Sequence, residues 1–262
     1  MVLILGILAL AAGAGINILA DDLPARRRLS GPHCRYCGAP RPPLGWSAIV
    51  SFFARADRCA YCASRRGFRP LIVELASVGL ALWLFVRNPD PNVFIPALLV
   101  GLIFLLIAVV DIEHRLILRV VVAPAAVLFL VLGSIQPARG PLKTVLGGIA
   151  GFVILWLMYL LGILIARWIA RRRGQALEEV AFGFGDVMLG GLLGLVVGWP
   201  GILIAIVLGV LAAGIFSIGY IGVMLLRRRY TPYMPIPYGP FLLIGASVVY
   251  FGGRTALERL MG

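Results

Sequence analysis

The sequence predicts an all-α polytopic membrane protein of about eight transmembrane helices, with one small hydrophilic insertion after the first. Three observations carry this expectation. The 262-residue chain is 61% hydrophobic and 13% charged, with a mean hydropathy of +1.00, whereas soluble domains are typically about one-quarter charged. Its apolar residues gather in runs comparable with the roughly 17 to 25 residues that cross a bilayer. Its basic residues are crowded into alternate segments between those runs.

Taken in order, the runs are Val2–Ala20, Leu71–Val86, Val93–Val110, Val120–Gly133, Thr144–Ala166, Val187–Gly198, Gly201–Leu226 and Pro240–Phe251. The fourth and sixth fit the length of a span least well. The first has no basic residues ahead of it and is uninterrupted, so it reads as a retained span rather than a cleaved signal peptide. Within it, Gly13-Ala14-Gly15 permits close helix packing, and Asn17 is a lone amide suited to an interhelical hydrogen bond.

Lys and Arg number 10 in Pro24–Pro70, 2 in Asp111–Arg119, 4 in Arg167–Asp186 and 3 in Arg227–Pro237, against only Arg87, Arg139, Lys143, Arg254 and Arg259 on the opposite side. The positive-inside rule places the first set in the cytoplasm and both termini outward. Arg171–Arg173 and Arg227–Arg229 then anchor span ends. The net charge of +13 is accordingly a signature of topology and of attraction to the anionic headgroups of a lipid bilayer. It does not point to nucleic acid, because no basic stripe with interleaved aromatics is present. The expected organisation is a first transmembrane helix over residues 1–23, a cytoplasmic segment over 24–70 and a seven-helix membrane domain over 71–262.

All four cysteines lie in the hydrophilic segment, as Cys34-Arg35-Tyr36-Cys37 and Cys59-Ala60-Tyr61-Cys62. Two such knuckles supply four thiolates to a tetrahedral Zn²⁺. The alternative is disulfide pairing, which a reducing cytoplasm disfavours. With no ligand position left open the metal would be structural, folding a segment too small and Arg-rich to build its own core. The insertion is thus expected to be zinc-binding.

Asp111 and Asp186 each sit where an apolar run meets a basic cytoplasmic segment. An acid at that depth is costly and marks a functional site by default, although either alone would equally end a helix in the headgroup zone. Asp186 follows Gly183-Phe184-Gly185, glycines that let the backbone turn tightly and approach a peptide. Asp111 begins Asp111-Ile112-Glu113-His114, with Glu113 and His114 expected in a solvated loop. Two same-side carboxyls that share a site do not both ionise easily, so one serves as acid and the other as base toward water and an amide. Glu74 stands at the start of a span, where it either complements the helix dipole or contacts a cationic substrate or methyl donor. Glu178-Glu179 is an exposed acidic pair that also suits a basic peptide.

With these residues in place the chain resembles the bacterial type IV prepilin peptidases, the bifunctional leader peptidase and N-methyltransferase family of intramembrane aspartyl proteases. Gly13-Ala14-Gly15-Ile16-Asn17 followed by Leu23-Pro24 is similar to the family's GSFLN…LP signature, and the CxxC pairs match its zinc-binding insertion. Pro70-Leu71-Ile72-Val73-Glu74 resembles the family's YPLVE, and Ile236-Pro237-Tyr238-Gly239-Pro240-Phe241 its PFGPF. The resemblance implies catalytic roles for Asp111 and Asp186, supported by Gly183 and Gly185, with structural zinc on Cys34, Cys37, Cys59 and Cys62. It implies removal of the basic leader of prepilin or pseudopilin precursors after a glycine, then methylation of the new N-terminus from S-adenosyl-L-methionine, with Glu74 and Asn17 as donor-binding candidates.

Three departures bear on this. Leu116-Ile117-Leu118-Arg119 lacks the family's Pro-Asp, Met188 replaces a common Lys, and Arg41-Pro42-Pro43-Leu44-Gly45-Trp46 runs straight into Ser47-Ala48-Ile49-Val50 without the usual acidic, Asn-containing stretch. The last predicts robust peptidase activity with methyl transfer weaker or absent. A non-enzymatic zinc-stabilised scaffold or transporter is the alternative class. A transporter would carry its polar groups near the bilayer midplane, whereas here the acids cluster at one interface.

Overall fold

The computed structural model describes residues 2–25, 31–137, 139–173, 183–228 and 237–252. Glu178, Glu179, Arg229, Ile236, Arg254 and Arg259 lie outside them. Among the described residues the architecture is helical, with α1 (Val2–Asp22), a 3₁₀ turn (Pro43–Gly45), α2 (Ala48–Phe53), α3 (Phe68–Arg87), α4 (Pro91–His114), α5 (Arg119–Ile135), α6 (Gly140–Arg173), α7 (Phe184–Val197), α8 (Gly201–Leu226) and α9 (Gly239–Gly252). Every apolar run lies on its own helix. By length and composition α1, α3, α4, α6 and α8 suffice to cross a membrane, whereas α5, α7 and α9 have only 17, 14 and 14 residues. A 14-residue helix is about 21 Å long, short of the ~30 Å hydrocarbon core.

Two helix ends depart from expectation. No breaker follows Asp111, so α4 continues through Glu113 and His114; Glu113 is half-buried, with His114 Nε2 3.8 Å from its carboxylate, rather than solvated in a loop. Likewise α6 extends well past Ala166, because Arg is a good helix former.

Packing divides the chain into two compact units, Met1–Val110 and Asp111–Gly262. In the first unit α1 lies against α3. A Cβ on Gly13 would come within 2.9 Å of Glu74 Cα and Ser77 Oγ, while Gly15 faces open space; only the first glycine of the triplet serves the close approach. Asn17 Nδ2 donates to the Pro70 carbonyl at 3.0 Å, the interhelical hydrogen bond expected of it.

In the second unit α6 and α7 approach until their backbones touch. Gly147 and Gly151 on α6 meet Gly194 and Gly190 on α7, where a Cβ on Gly190 would lie 2.7 Å from the Gly151 carbonyl oxygen. Both helices thus carry a small-xxx-small face. At the far end of α7, the Arg139 guanidinium donates to the carbonyls of Leu195 and Val196, which satisfies groups that a helix C-terminus leaves unpaired. Gly245 and Gly209 give α8 and α9 a similar contact. We expect Gly194→Leu to destabilise the second unit by about 3 kcal/mol through overpacking, seen as an early melting transition of the purified protein; unchanged melting would contradict the contact.

Candidate active site and metal centre

Asp111 lies on the last turn of α4 and is 5% exposed. Asp186 lies in the first turn of α7, a helix that starts at Phe184 rather than after the aspartate. Its carboxylate accepts the Gly183 backbone N–H at 3.1 Å, and its own N–H donates back to the Gly183 carbonyl at 3.1 Å. An acid there complements the unpaired N–H groups and dipole of a helix start. The two carboxyl groups are within electrostatic reach of each other. Oδ2 of Asp111 is buried and has no hydrogen-bonding partner among the described residues.

The surrounding backbone is fitted closely to this pair. The Gly239 N–H faces the Asp111 carboxyl group, and a Cβ on Gly239 would overlap Asp111 Oδ2 and stand 3.2 Å from Cγ. Beside it, burial and the charge of Asp186 hold the Tyr238 phenol above its ordinary pKa. Sequence reasoning gave Tyr238 and Gly239 no role; the signal available was a glycine between Pro237 and Pro240 ahead of an apolar run. Gly185 is required by packing, since its Cβ would lie 2.9 Å from Ile117 Cβ. Gly183 is not so constrained: its φ of −87° is ordinary, and its Cβ would meet nothing nearer than 3.8 Å. Gly185 thus admits the α4–α5 connection, while Gly183 stands at the start of α7.

The four cysteine sulfurs lie within 4.8 Å of one another, with Cys34–Cys62 and Cys37–Cys59 each at 3.6 Å. Four thiolates around zinc at about 2.3 Å stand about 3.8 Å apart, so the donor set fits a tetrahedral ion. All four thiols are free of disulfides. The knuckles repeat one local structure. Gly38 and Ala63 donate to the carbonyls of Cys34 and Cys59, both at 2.9 Å, and have φ of +72° and +54°. Hydrogen bonding from Ser64 draws the Cys34 thiol down to about 5 and lowers Cys62 as well, whereas burial and the neighbouring sulfurs push Cys37 up to about 12.

Glu74 is fully buried on α3, and its carboxylate accepts Ser47 Oγ at 2.6 Å, Ala48 N at 2.6 Å and Ile49 N at 2.9 Å. It caps α2, tying the insertion to a long apolar helix. Asn17 is 3% exposed, with Oδ1 lacking a partner among the described residues.

Comparison with known proteins adds two matches. The bacterial Peptidase A24 N-terminal domain matches residues 7–88, and the type IV leader peptidase family matches residues 98–218. The chain is 26% identical over 258 residues to a prepilin leader peptidase/N-methyltransferase of Burkholderia pseudomallei, covering 97% of this chain and 77% of that protein. It is 27% identical over 232 residues to the protein of that name from Pseudomonas aeruginosa, with 86% and 74% covered. The figures for Aeromonas salmonicida are 26% over 225 residues, with 85% and 71% covered. No solved structure matches.

Proposed function

We propose that this chain, which matches the type IV leader peptidase family and the bacterial A24 N-terminal domain, is a multi-pass inner-membrane enzyme of that kind, in which Asp111 and Asp186 form a shared-proton pair that removes the leader of prepilin or pseudopilin precursors at the cytoplasmic face. The observation that carries this is the placing of two carboxyls from separate helices within electrostatic reach of each other, beside glycines, Gly185 and Gly239, whose neighbours leave no room for a side chain. Asp186, a helix-start carboxylate already accepting an N–H, takes a proton from water. The water oxygen attacks the scissile carbonyl carbon while Asp111 gives its proton to the carbonyl oxygen. The C–N bond then breaks as Asp186 gives its proton to the departing amine and Asp111 takes one back from a hydroxyl of the tetrahedral intermediate, which leaves the new carboxyl group and restores the pair.

In this reading all eight apolar helices lie in the bilayer with both termini outward, and the parts are residues 1–23, 24–70 and 71–262. Cys34, Cys37, Cys59 and Cys62 hold a structural zinc, which confers rigidity on the insertion. The insertion serves the second reaction, methylation of the new N-terminus from S-adenosyl-L-methionine, at a rate below that of cleavage. The matches to peptidase families remove the scaffold or transporter alternative. The test is to incubate purified protein with a prepilin, with and without S-adenosyl-L-methionine, and to weigh the products: a free leader and a pilin heavier by one methyl group are expected, and an intact precursor refutes the proposal.

Gly239→Ala should lower cleavage by about 100-fold, the scale of an ångström's misplacement of a catalytic group. Gly183→Ala should leave it within about threefold, since its Cβ has room; equal rates in the two variants would contradict the fit around Asp111. Glu74→Gln keeps the shape of the α2 cap but loses its charge, and charge-assisted hydrogen bonds contribute about 1.5–3 kcal/mol. Methylation should therefore fall by about tenfold, with cleavage affected far less, when both products are measured from one precursor.

A further inference from the structure

A cleft in the first unit lies where the end of α1, the first knuckle and the start of α3 converge, and its lining is strongly cationic. Arg35, Arg41, Arg65 and Arg66 face it together with a single carboxylate, Asp21. That carboxylate is already paired, with Arg69 at 2.9 Å and with Arg35 at 3.4 Å. Among the described residues no acid stands within ion-pair distance of Arg41, Arg65 or Arg66. Arg66 is half-buried, and its Nη1 donates to the Gly45 carbonyl at 2.9 Å, which fixes the guanidinium and leaves the N–H groups of its other nitrogens to a ligand. Burial and the charge of Arg41 hold Arg66 below its ordinary pKa. Like charges crowded in this way lose free energy that an anion placed between them recovers.

Two further features narrow the ligand. Asn17 lines the same cleft and is 3% exposed; with its amide nitrogen committed to Pro70, its Oδ1 has no donor among the described residues. A buried acceptor left unmatched is costly unless something supplies a donor, so the fitting ligand combines an anion with a hydroxyl. The cleft also lies at a particular depth, between the end of α1 and the start of α3, two helices long and apolar enough to cross a membrane. Tyr36 and Trp46 border it at 79% and 56% exposed, ring types enriched where a span meets the headgroup layer. Ile18 and Pro70 give it an apolar edge.

We propose that this cleft binds a phosphate ester, presented by the headgroup of an anionic phospholipid or by a soluble phosphate. Guanidinium forks match phosphate oxygens in pairs, so Arg41 and Arg66 hold the phosphate and Arg65 adds charge at the exposed side. A hydroxyl of the ester donates to Asn17 Oδ1. The depth of the cleft favours the lipid source, whose phosphate already stands at the ends of the spans. Bound there, it joins α1, the first knuckle and the entry to α3, and so fastens the cysteine segment against the bilayer surface. The site depends on neither the cleavage nor the methyl-transfer reading.

The experiment is calorimetric titration of the purified full-length protein in detergent with three probes: dioctanoyl phosphatidylglycerol, glycerol phosphate and dioctanoyl phosphatidylcholine. Phosphatidylglycerol should bind saturably and at least about tenfold more tightly than phosphatidylcholine, whose choline returns a positive charge to the cleft and offers no donor to Asn17. Replacing Arg41→Gln and Arg65→Gln together should weaken phosphatidylglycerol by at least about tenfold, the scale of a lost charge-assisted hydrogen bond. Arg58→Gln removes an exposed charge elsewhere in the segment and should stay within about twofold, since a screened surface charge acts weakly at a distance. Should the double variant lose metal or melt early, Arg65→Gln alone serves, because that side chain is exposed. Glycerol phosphate separates the sources: comparable binding assigns the site to a soluble ester and its failure beside tight phosphatidylglycerol assigns it to lipid, and either supports the site. No binding of either anionic probe, no preference over phosphatidylcholine, undiminished binding in the arginine variants, or an equal loss in Arg58→Gln would overturn it.

Discussion

Asp111→Asn and Asp186→Asn are each expected to lower leader cleavage by at least about 10³-fold, and the double variant to be little worse than either, because members of one proton-sharing unit are not additive. The substitution is nearly isosteric. In Asp186→Asn the side-chain amide would still offer a carbonyl oxygen to the Gly183 N–H, which in the native protein reaches the carboxylate at 3.1 Å, so the start of α7 should survive. What disappears is the ability to hold and return a proton. Asp111 is 5% exposed, with Oδ2 unpartnered among the described residues, and Asp111→Asn removes the acid facing Asp186. Cleavage measured under single turnover, beside zinc content and a melting curve, separates loss of chemistry from loss of fold. Multiplicative losses in the double variant would mean that the two aspartates act independently.

The second large effect concerns the metal. Cys34→Ser, or extraction by a strong chelator, should release one zinc per chain and unfold the 24–70 segment. Among the described residues that segment buries few side chains, Cys34, Ala48, Ser51, Cys59 and Pro70, and two of these are cysteines of the proposed metal site. Structural zinc contributes about 10 kcal/mol or more to the folding of small zinc domains, far more than so few apolar contacts supply. Trypsin should then cut readily within the segment, which carries 10 basic residues, and methylation should vanish. The apolar helices, held by their own packing, should keep their melting transition. A segment that stays protease-resistant without metal, or a protein that contains none, would refute the assignment.

Much of this was legible in the sequence. Hydropathy is a sum over neighbouring residues, so eight apolar runs gave eight helices, and the cysteine knuckles were legible because ligand type and spacing are local properties. Asp111 and Asp186 stood out as acids beside apolar runs. Gly239 did not, because a glycine's necessity depends on what lies opposite, here an aspartate from another helix. The partners of Glu74 were hidden for the same reason: its donors come from Ser47, Ala48 and Ile49, and nothing near it in the chain names them. Gly147, Gly151, Gly190 and Gly194 were visible as two small-xxx-small patterns, but only the fold shows that they face each other. The helix ends at His114 and Arg173 escaped because apolar patterning stops before the helical hydrogen bonds do.

The central claim is that the aspartate pair directs water onto the leader's scissile carbonyl without a covalent intermediate. Its most direct test is a single turnover of prepilin in H₂¹⁸O, with the leader and the digested enzyme both weighed. The account predicts one ¹⁸O in the new terminal carboxylate of the leader and none in Asp111 or Asp186. Isotope in either aspartate would reveal a covalent acyl intermediate and contradict it, as would a precursor that remains intact.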